Sequence, residues 1–518
     1  MQREGATESE DREMAHIALE ERPEDGVTAP AAPEPYAAMR ETHSGVVLLA
    51  GERAYKFKKP VTTAFLDFST HEAREFACAR EAELNRRLSP DVYLGVAHLT
   101  DPVGGPAEPV VVMRRMPETA RLSTLVGQGA PVGQGLAELA LALAGFHRWA
   151  QRGPQVAAQA SVKAIRGRWQ ANLAEISLFS AAAQHDGLLD HIQQLALRYL
   201  RGRKELFAER IARGRIVDGH GDLIADDVFL LPEGPRALDC LDFDDRLRFV
   251  DGADDAAFLA MDLEYLGRPD LGQSFLEQYL AEAEDDAPRS LLHHYIAYRA
   301  LVRAKVDYVR LGQGHAQSRA EALRHLRLAA DHLERGAARL VLIGGLPGTG
   351  KSTLAAALAG EVGAAVVSSD EVRHELKESG EIAGEAGQYG RGLYAPEAAA
   401  KVYRTMLDRA RGALAGGASV VLDASWVQAE QRELAARLAE ESSAALVELR
   451  CVAPQDVAWR RIAARRQSRS DATAEIARDM AADMRPWPTS SEVDTAAEPG
   501  AALRAALEAW VQAARHLR

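Results

Sequence analysis

Gly345-Leu346-Pro347-Gly348-Thr349-Gly350-Lys351-Ser352 is a complete G-x-x-x-x-G-K-[ST] pattern, and its flanks decide the fold of the C-terminal part of the chain. Arg339 to Ile343 reads as a short buried strand entering the loop, and Thr353 to Ala359 as a helix leaving it. In a strand, glycine-rich turn and helix joined this way, successive backbone N–H groups turn inward around phosphate oxygens. The positive end of the helix dipole adds to them. Lys351 can reach the β- and γ-phosphates, and the Ser352 hydroxyl can ligate Mg²⁺. The segment predicts a site for a nucleoside triphosphate, ATP with Mg²⁺. Its candidate binding residues are Gly345, Gly348, Thr349, Gly350, Lys351, Ser352 and Thr353.

Two strands predicted further on end in carboxylates: Gly363 to Asp370, through Ser368-Ser369-Asp370, and Gly417 to Asp423. In an open parallel sheet the C-terminal strand ends converge on the ligand crevice, so Lys351, Asp370 and Asp423 are expected to meet there. Gly390-Arg391-Gly392-Leu393-Tyr394 leads into a predicted helix over 398–415, with Arg391 and Tyr394 as candidate acceptor-site residues. After a strand ending near Val452, Arg460, Arg461, Arg465 and Arg466 form a basic helical stretch.

Upstream, the chain has a different texture. Residues up to about Pro35 are acidic and then rich in Pro and Ala, which predicts a disordered lead-in. Strands are expected at Gly45 to Ala50, Arg53 to Lys58 and Glu108 to Arg114, with a helix over 70–88 between the last two. A mostly helical stretch from about Leu136 to Arg335 follows, interrupted by a strand–loop–strand unit over 216–249. In that unit, His220-Gly221-Asp222 precedes Asp227, and Asp242 closes a predicted strand about fifteen residues later. Asp222 is placed to orient or deprotonate an acceptor hydroxyl, and Asp227 and Asp242 to share Mg²⁺.

These residues resemble the aminoglycoside phosphotransferase-like kinases, distant relatives of protein kinases, whose catalytic loop reads H-G-D-x-x-x-x-N. The resemblance implies Asp222 as the catalytic carboxylate and Asp242 as the metal-binding one. Asp227 stands where the family has Asn, which adds negative charge beside the triphosphate. It further implies Lys56 as the strand lysine on the α- and β-phosphates, with Lys58 on the same strand face as its competitor. Glu81 would be the ion-pair partner, with Glu83 as the alternative, and Val110 to Pro117 would form the hinge. No G-x-G-x-x-G loop precedes Lys56; Thr42 to Gly45 offers only a short polar turn. Downstream, Arg299, Arg303 and Lys305 stack at helical spacing, on a solvated face or along the site of an anionic acceptor.

The P-loop region is similar to the small P-loop kinases such as gluconate kinase, chloramphenicol phosphotransferase, zeta toxin and the kinase domain of polynucleotide kinase. That likeness implies Asp370 as base for the acceptor hydroxyl, Arg373 as a substrate-holding group and Asp423 as orienting Mg²⁺ through water. It implies a lid whose Arg461 and Arg465 stabilise the transferring phosphoryl group. Together the two halves resemble bacterial two-domain proteins that fuse an aminoglycoside phosphotransferase-like domain to a P-loop, AAA-type ATP-binding domain.

The expected fold class is therefore α/β multidomain: a bilobal protein-kinase-like (α+β) domain over 35–335 and a parallel-sheet P-loop NTPase/kinase domain over 336–518, after the lead-in at 1–34. The expected activity is transfer of the ATP γ-phosphate to a hydroxyl of a sugar or amino sugar, with two ATP sites. Alternatives are a regulatory ATPase coupled to a ligand-binding pseudokinase, and a polynucleotide 5′-hydroxyl kinase. The net charge of −13 weighs against a nucleic-acid partner, and no apolar run is long enough to span a bilayer. Three scattered cysteines and an acidic N-terminus predict a cytoplasmic protein with buried thiols.

Overall fold

The computed structural model describes residues 35–41, 45–62, 67–100, 102–180, 187–385, 388–464, 473–496 and 498–515. The expected lead-in at 1–34, the turn at 42–44 and Arg465 lie outside the described residues. Among the described residues, no helix is long and apolar enough to cross a membrane.

The N-terminal part opens with a five-stranded antiparallel sheet in the order β1-β2-β3-β5-β4. Its strands are β1 (Ala37–Glu41), β2 (Gly45–Ala50), β3 (Arg53–Lys58), β4 (Tyr93–Leu99) and β5 (Glu108–Arg114). β1 and β4 were not expected: β1 is short and exposed, and Gly95 breaks the alternation of β4 where its register against β5 shifts. Helix His71–Asn85, capped by the Thr70 hydroxyl accepting from Ala73 N–H at 3.2 Å, packs on this sheet. Beyond β5 lie long helices around one apolar core built on Leu139, Trp169, Phe258 and Leu301. Two small hairpin-like sheets sit in their midst: β6 (Ile216–Asp218) with β9 (Phe249–Asp251), and β7 (Val228–Leu231) with β8 (Gly234–Ala237). The first lobe is thus a small sheet and the second is helical, as the sequence pattern implies.

The C-terminal part is a five-stranded, wholly parallel sheet with helices on both faces. Its strands are β10 (Arg339–Gly344), β11 (Ala365–Ser368), β12 (Val420–Asp423), β13 (Ala445–Val452) and β14 (Ser491–Asp494). They run in the order β11-β12-β10-β13-β14, so β10 sits at the centre, where the winding reverses. That reversal opens the crevice into which the loop after β10 projects. Ser368 and Ile343 both pair with Asp423, which brings the ends of β11, β10 and β12 level.

Arginines join the two parts by binding carbonyls. Arg203 is fully buried, and its Nη1 donates to Ser442 O at 2.7 Å; Arg198 Nη2 donates to Ala444 O at 2.9 Å. Ser290 Oγ donates to Gly417 O at 2.7 Å. Arg339 donates to Glu334 O, Ala337 O and Trp510 O, and lies over the Trp510 ring. All three cysteines are free and buried, and burial pushes their thiols up to about 12.

At this seam Gly202 has no room for a side chain, because a Cβ there would lie 2.2 Å from Ser442 O. Helix propensity alone would favour Ala over Gly by roughly 1 kcal/mol. We expect Gly202→Ala to lower stability instead, by about 1–3 kcal/mol, because the opposing atom is backbone. Thermal unfolding reads the sign, and an unchanged or raised Tm would mean the seam is not held this way in solution.

Candidate functional site

Two sites emerge, one in each part. In the first, β3 points Lys56 and Lys58 to the same side, and helix His71–Asn85 places Glu81 between them. Lys56 Nζ lies 2.8 Å from Glu81 Oε1 and 2.5 Å from Asp239 Oδ1. Lys58 Nζ lies 2.7 Å from Glu81 Oε2 and 2.9 Å from Asp242 Oδ2. Glu81 is 1% exposed. Burial opposes its charge, but the two lysines outweigh burial and hold its carboxyl below the usual value. Of the two expected partners, Glu81 takes the lysines, while Glu83 pairs with Arg80 at 2.9 Å.

His220-Gly221-Asp222 hangs from one buried carboxylate. Asp255, in helix Gly252–Tyr265, accepts from His220 N–H at 2.6 Å and from Gly221 N–H at 2.8 Å. His147 Nε2 lies 3.0 Å from Asp255 Oδ2. Burial alone would raise the Asp255 carboxyl, but the hydrogen bond and charge of His147 hold it well below the carboxylate range. This anchor fixes the backbone that leads into the half-buried Asp222. Sequence reading missed it, although two adjacent aspartates in the apolar run Gly252 to Leu259 were a signal that a charge is buried there for a reason.

Asp239 was missed as well. The strand expected to run to Leu241 ends at Ala237, so the first carboxylate past the strand is Asp239 and not Asp242. Asp239 sits in the left-handed region at φ 62°, and its N–H donates to Tyr93 Oη at 3.2 Å. Lys56 pulls its carboxyl down. Asp227 feels the opposite: burial, then the charges of Asp239 and Asp222, push its carboxyl well up. Asp222 is raised by burial and drawn back by Arg303. Asp222, Asp227 and Asp239 thus share one field, while Asp242 belongs to Lys58.

In the second site the glycines act by absence. A Cβ on Gly345, at φ 134°, would lie 2.5 Å from Cys451 O, and one on Gly348, at φ 83°, 2.4 Å from Ala458 O. Lys351 Nζ donates back to Leu346 O at 3.1 Å, and Thr349 Oγ1 to the same oxygen at 2.8 Å. Lys351 to Val362 is helical, so Lys351, Ser352 and Thr353 form its first turn. Burial raises the Asp423 carboxyl, against Lys351 and a hydrogen bond from Ser352 that lower it. Asp370, in the first turn of helix Ser369–Glu378, pairs with Arg373 Nη1 at 2.6 Å, and Arg373 lies over the Tyr394 ring at 4.5 Å. Arg391 is exposed.

Arg461 Nη2 donates to Thr495 O at 2.7 Å, and Thr495 Oγ1 donates to Thr349 O at 2.5 Å, which ties helix Gln455–Ala463 to the loop. Arg461 Nη1 is buried without a hydrogen-bond partner, 3.5 Å from where a Gly350 Cβ would stand. Arg450 and Arg460 are paired with Glu492 and Asp456, so the basic stretch offers less free charge than its sequence suggests.

Among the described residues, no three His, Cys, Asp or Glu side chains are close enough to hold a metal ion by themselves. Mg²⁺ bound by one or two carboxylates and by phosphate oxygens needs no such cage. The oxygen donors Asp227 with Asp239, and Ser352 with Asp423, suit that cation, and the carboxyls burdened by burial and like charge would gain most from it.

The sequence matches the AAA domain family over residues 340–487. It is also 49% identical over 481 residues to the uncharacterized protein Rv2004c of Mycobacterium tuberculosis strain H37Rv, covering 93% of this chain and 97% of that one. The chain belongs to the same family as that mycobacterial protein. Among solved structures, a sugar kinase from Janibacter sp. HTCC2649 aligns with 35% of this chain and 98% of its own, at 19% identity and TM-score 0.28. The GDP complex of wild-type aminoglycoside 2′-phosphotransferase-IIIa aligns with 58% of this chain and 94% of its own, at 15% identity and TM-score 0.35.

The crowding at Asp227 has a measurable sign. Its folded carboxyl is raised above the ordinary value of about 3.9. Its contribution to stability is therefore full below that value and lost as pH rises through the folded value. We expect Asp227→Asn to raise the Tm of the nucleotide-free protein at pH 7, with the gain shrinking as pH falls toward about 4. A gain that grows on acidification would contradict this field.

Proposed function

We propose that the protein is an ATP-dependent phosphotransferase acting on a small-molecule hydroxyl, with one ATP site in each part. The observation that carries this reading is the grouping of Lys351, the Ser352–Asp423 hydrogen bond and the Asp370–Arg373 pair at the level ends of β10, β12 and β11. A loop that only hydrolysed ATP would have no use for an acceptor base, and Asp370 is supplied in that position.

In the P-loop part, backbone N–H groups of the loop and Lys351 hold the β- and γ-phosphates. Asp370, oriented by Arg373, takes the proton of the acceptor hydroxyl. The acceptor oxygen then bonds to the γ-phosphorus as the bond to the β-phosphate oxygen breaks, and ADP leaves. Arg461 supplies its unpartnered Nη1–H to the charge that spreads over the transferring group. Mg²⁺, held by Ser352 and Asp423, would neutralise phosphate charge.

In the first part the same roles fall to Lys56, fixed by Glu81, for the phosphates and to Asp222, whose loop the Asp255 anchor fixes, for the acceptor proton. Asp227, Asp239 and Asp242 are the candidate metal carboxylates there, of which Asp239 and Asp242 each also hold a lysine, Lys56 and Lys58. The sequence motifs that resemble small-molecule kinases are the ground for a sugar-like acceptor. The domain limits 35–335 and 336–518 and a cytoplasmic location go with this reading. A second reading, a P-loop ATPase governed by a ligand-binding first part, draws on the three crowded carboxylates at Asp222, Asp227 and Asp239.

The test is phosphate transfer from labelled ATP to a panel of sugars and amino sugars, with wild type beside Asp222→Ala and Lys351→Ala. Loss of a labelled product in one variant, by about 10²-fold or more, assigns that acceptor to its part. ATP hydrolysis abolished only by Lys351→Ala, with no acceptor labelled by any form, would favour the second reading.

A further inference from the structure

The first site carries guanidinium groups that its own carboxylates do not use. Helix Arg289–Gly312 presents Arg299 and, one turn on, Arg303. Arg299 is 3% exposed: its Nε donates to Asp254 Oδ1 at 2.8 Å and its Nη1 to Gly221 O at 3.1 Å, the carbonyl next to Asp222. Its Nη2 is buried and unpartnered. Arg303 exerts the strongest favourable charge on Asp222, yet among the described residues it closes no ion pair, and its Nε is buried without a partner. Beside Asp254, helix Val162–Ser180 contributes Arg168, whose Nε and Nη1 are buried and unpartnered. A small cavity of about 20 Å³ runs between Arg168, Trp169, Asp254 and Tyr298.

A structural ion network closes its guanidinium groups on the carboxylates at hand. Here Asp254 is taken by Arg299, and Asp262 accepts from Ala225 N–H at 2.8 Å. Arg168 and Arg303 remain over. Buried N–H groups left unpaired are costly, and those of Arg299 and Arg303, the two guanidinium groups whose charge acts on Asp222, call for a partner. A planar fork of donors matches a carboxylate or phosphate oxyanion. A cationic amino sugar would leave these N–H donors unpaired.

We propose that the acceptor of the first site is anionic, a hydroxylated small molecule whose carboxylate or phosphate is held by Arg303 and Arg299, with Arg168 behind them. This rests on the kinase reading of Asp222 but differs from it in what it excludes. The transfer balances as before: the acceptor hydroxyl proton goes to Asp222, the new O–P bond forms at the γ-phosphorus, and ADP leaves.

The experiment uses full-length Lys351→Ala protein, so that only the first site transfers, with labelled ATP and four probes: glucose, glucosamine, gluconate and glucose 6-phosphate. Equilibrium binding of each probe is measured in parallel. We expect transfer to gluconate or glucose 6-phosphate over glucose and glucosamine, the better of the two naming the anion as carboxylate or phosphate. Adding Arg303→Gln should raise the KM for the anionic probe roughly tenfold to a hundredfold and leave the KM for ATP unchanged. Arg168→Gln is the second variant, with a smaller effect in the same direction.

Preference for glucosamine or glucose would overturn the proposal while leaving the kinase reading intact. So would a rise in the KM for ATP instead of the acceptor, which would assign Arg303 to the nucleotide. Saturable binding of an anionic probe, weakened by Arg303→Gln without any transfer, would uphold the anion site and sink the kinase reading. The absence of both transfer to and binding of the anionic probes would overturn the proposal.

Discussion

Arginine bound to helix-end carbonyls is the constraint on which the arrangement of the molecule depends. The last carbonyls of a helix have no partner within it and carry the negative end of its dipole. Arg203 and Arg198 meet those oxygens at Ser442, Ser443 and Ala444, just past helix Ala429–Glu441, and Arg339 meets those of Glu334 and Ala337. A guanidinium with full burial is costly where its donors are unmet, and a carbonyl buried against it equally so. The Arg203 Nη1–Ser442 O bond offsets part of both costs, while Arg203 Nε stays unpartnered. Because Ser442 to Ala444 lead directly into β13, and Gly417 into β12, the first part of the chain grips the N-terminal ends of the parallel strands. The P-loop, Asp370 and Asp423 lie at the other ends.

The two sites solve the same electrostatic problem in different ways. The P-loop site uses backbone: glycines at positive φ free N–H groups that a Cβ would block, and only one lysine is needed. The first site has no such loop beside Lys56, and it concentrates charge instead. Glu81 is shared by two lysines, and each lysine carries a second carboxylate, Asp239 or Asp242. Such a chain of alternating charges is stable without ligand, yet at one member, Asp227, burial and the charges of Asp239 and Asp222 outweigh the pull of Lys56. Charge that is balanced everywhere except at the reacting end is the signature of a site made to receive something charged.

The P-loop, the parallel strands after it as far as Val452 and the helix between Thr70 and Leu88 were legible because local rules suffice for them, whereas β14 was not foreseen. A glycine pattern, an apolar run and a capping threonine act within a few residues. The Lys56–Glu81 pair was legible by resemblance, and the choice of Glu81 over Glu83 was decided by which face of the helix meets β3. Asp239 and Asp255 were not legible for a different reason. The first depends on a strand ending four residues early, a boundary set by cross-strand pairing with β7 and not by composition. The second acts through the backbone of a loop 34 and 35 residues away in sequence, so the paired aspartates in an apolar run signal a buried charge without naming what it holds. Arg299 was visible as a helical cation, but its burial, which makes it informative, is a tertiary fact.

Geometry also bears on whether the two sites could work in sequence. Helix Arg289–Gly312 touches the seam at Ser290 and the first site at Arg299, about 13 Å further along at the helical rise. On the other side of the seam, the six residues of β10 carry the chain roughly 20 Å from Arg339 to the P-loop. The sites therefore stand beyond opposite sides of a buried contact filled by arginine side chains and main chain. On the proposed reading, the fusion ties two transfers together in amount, since each chain brings one of each site.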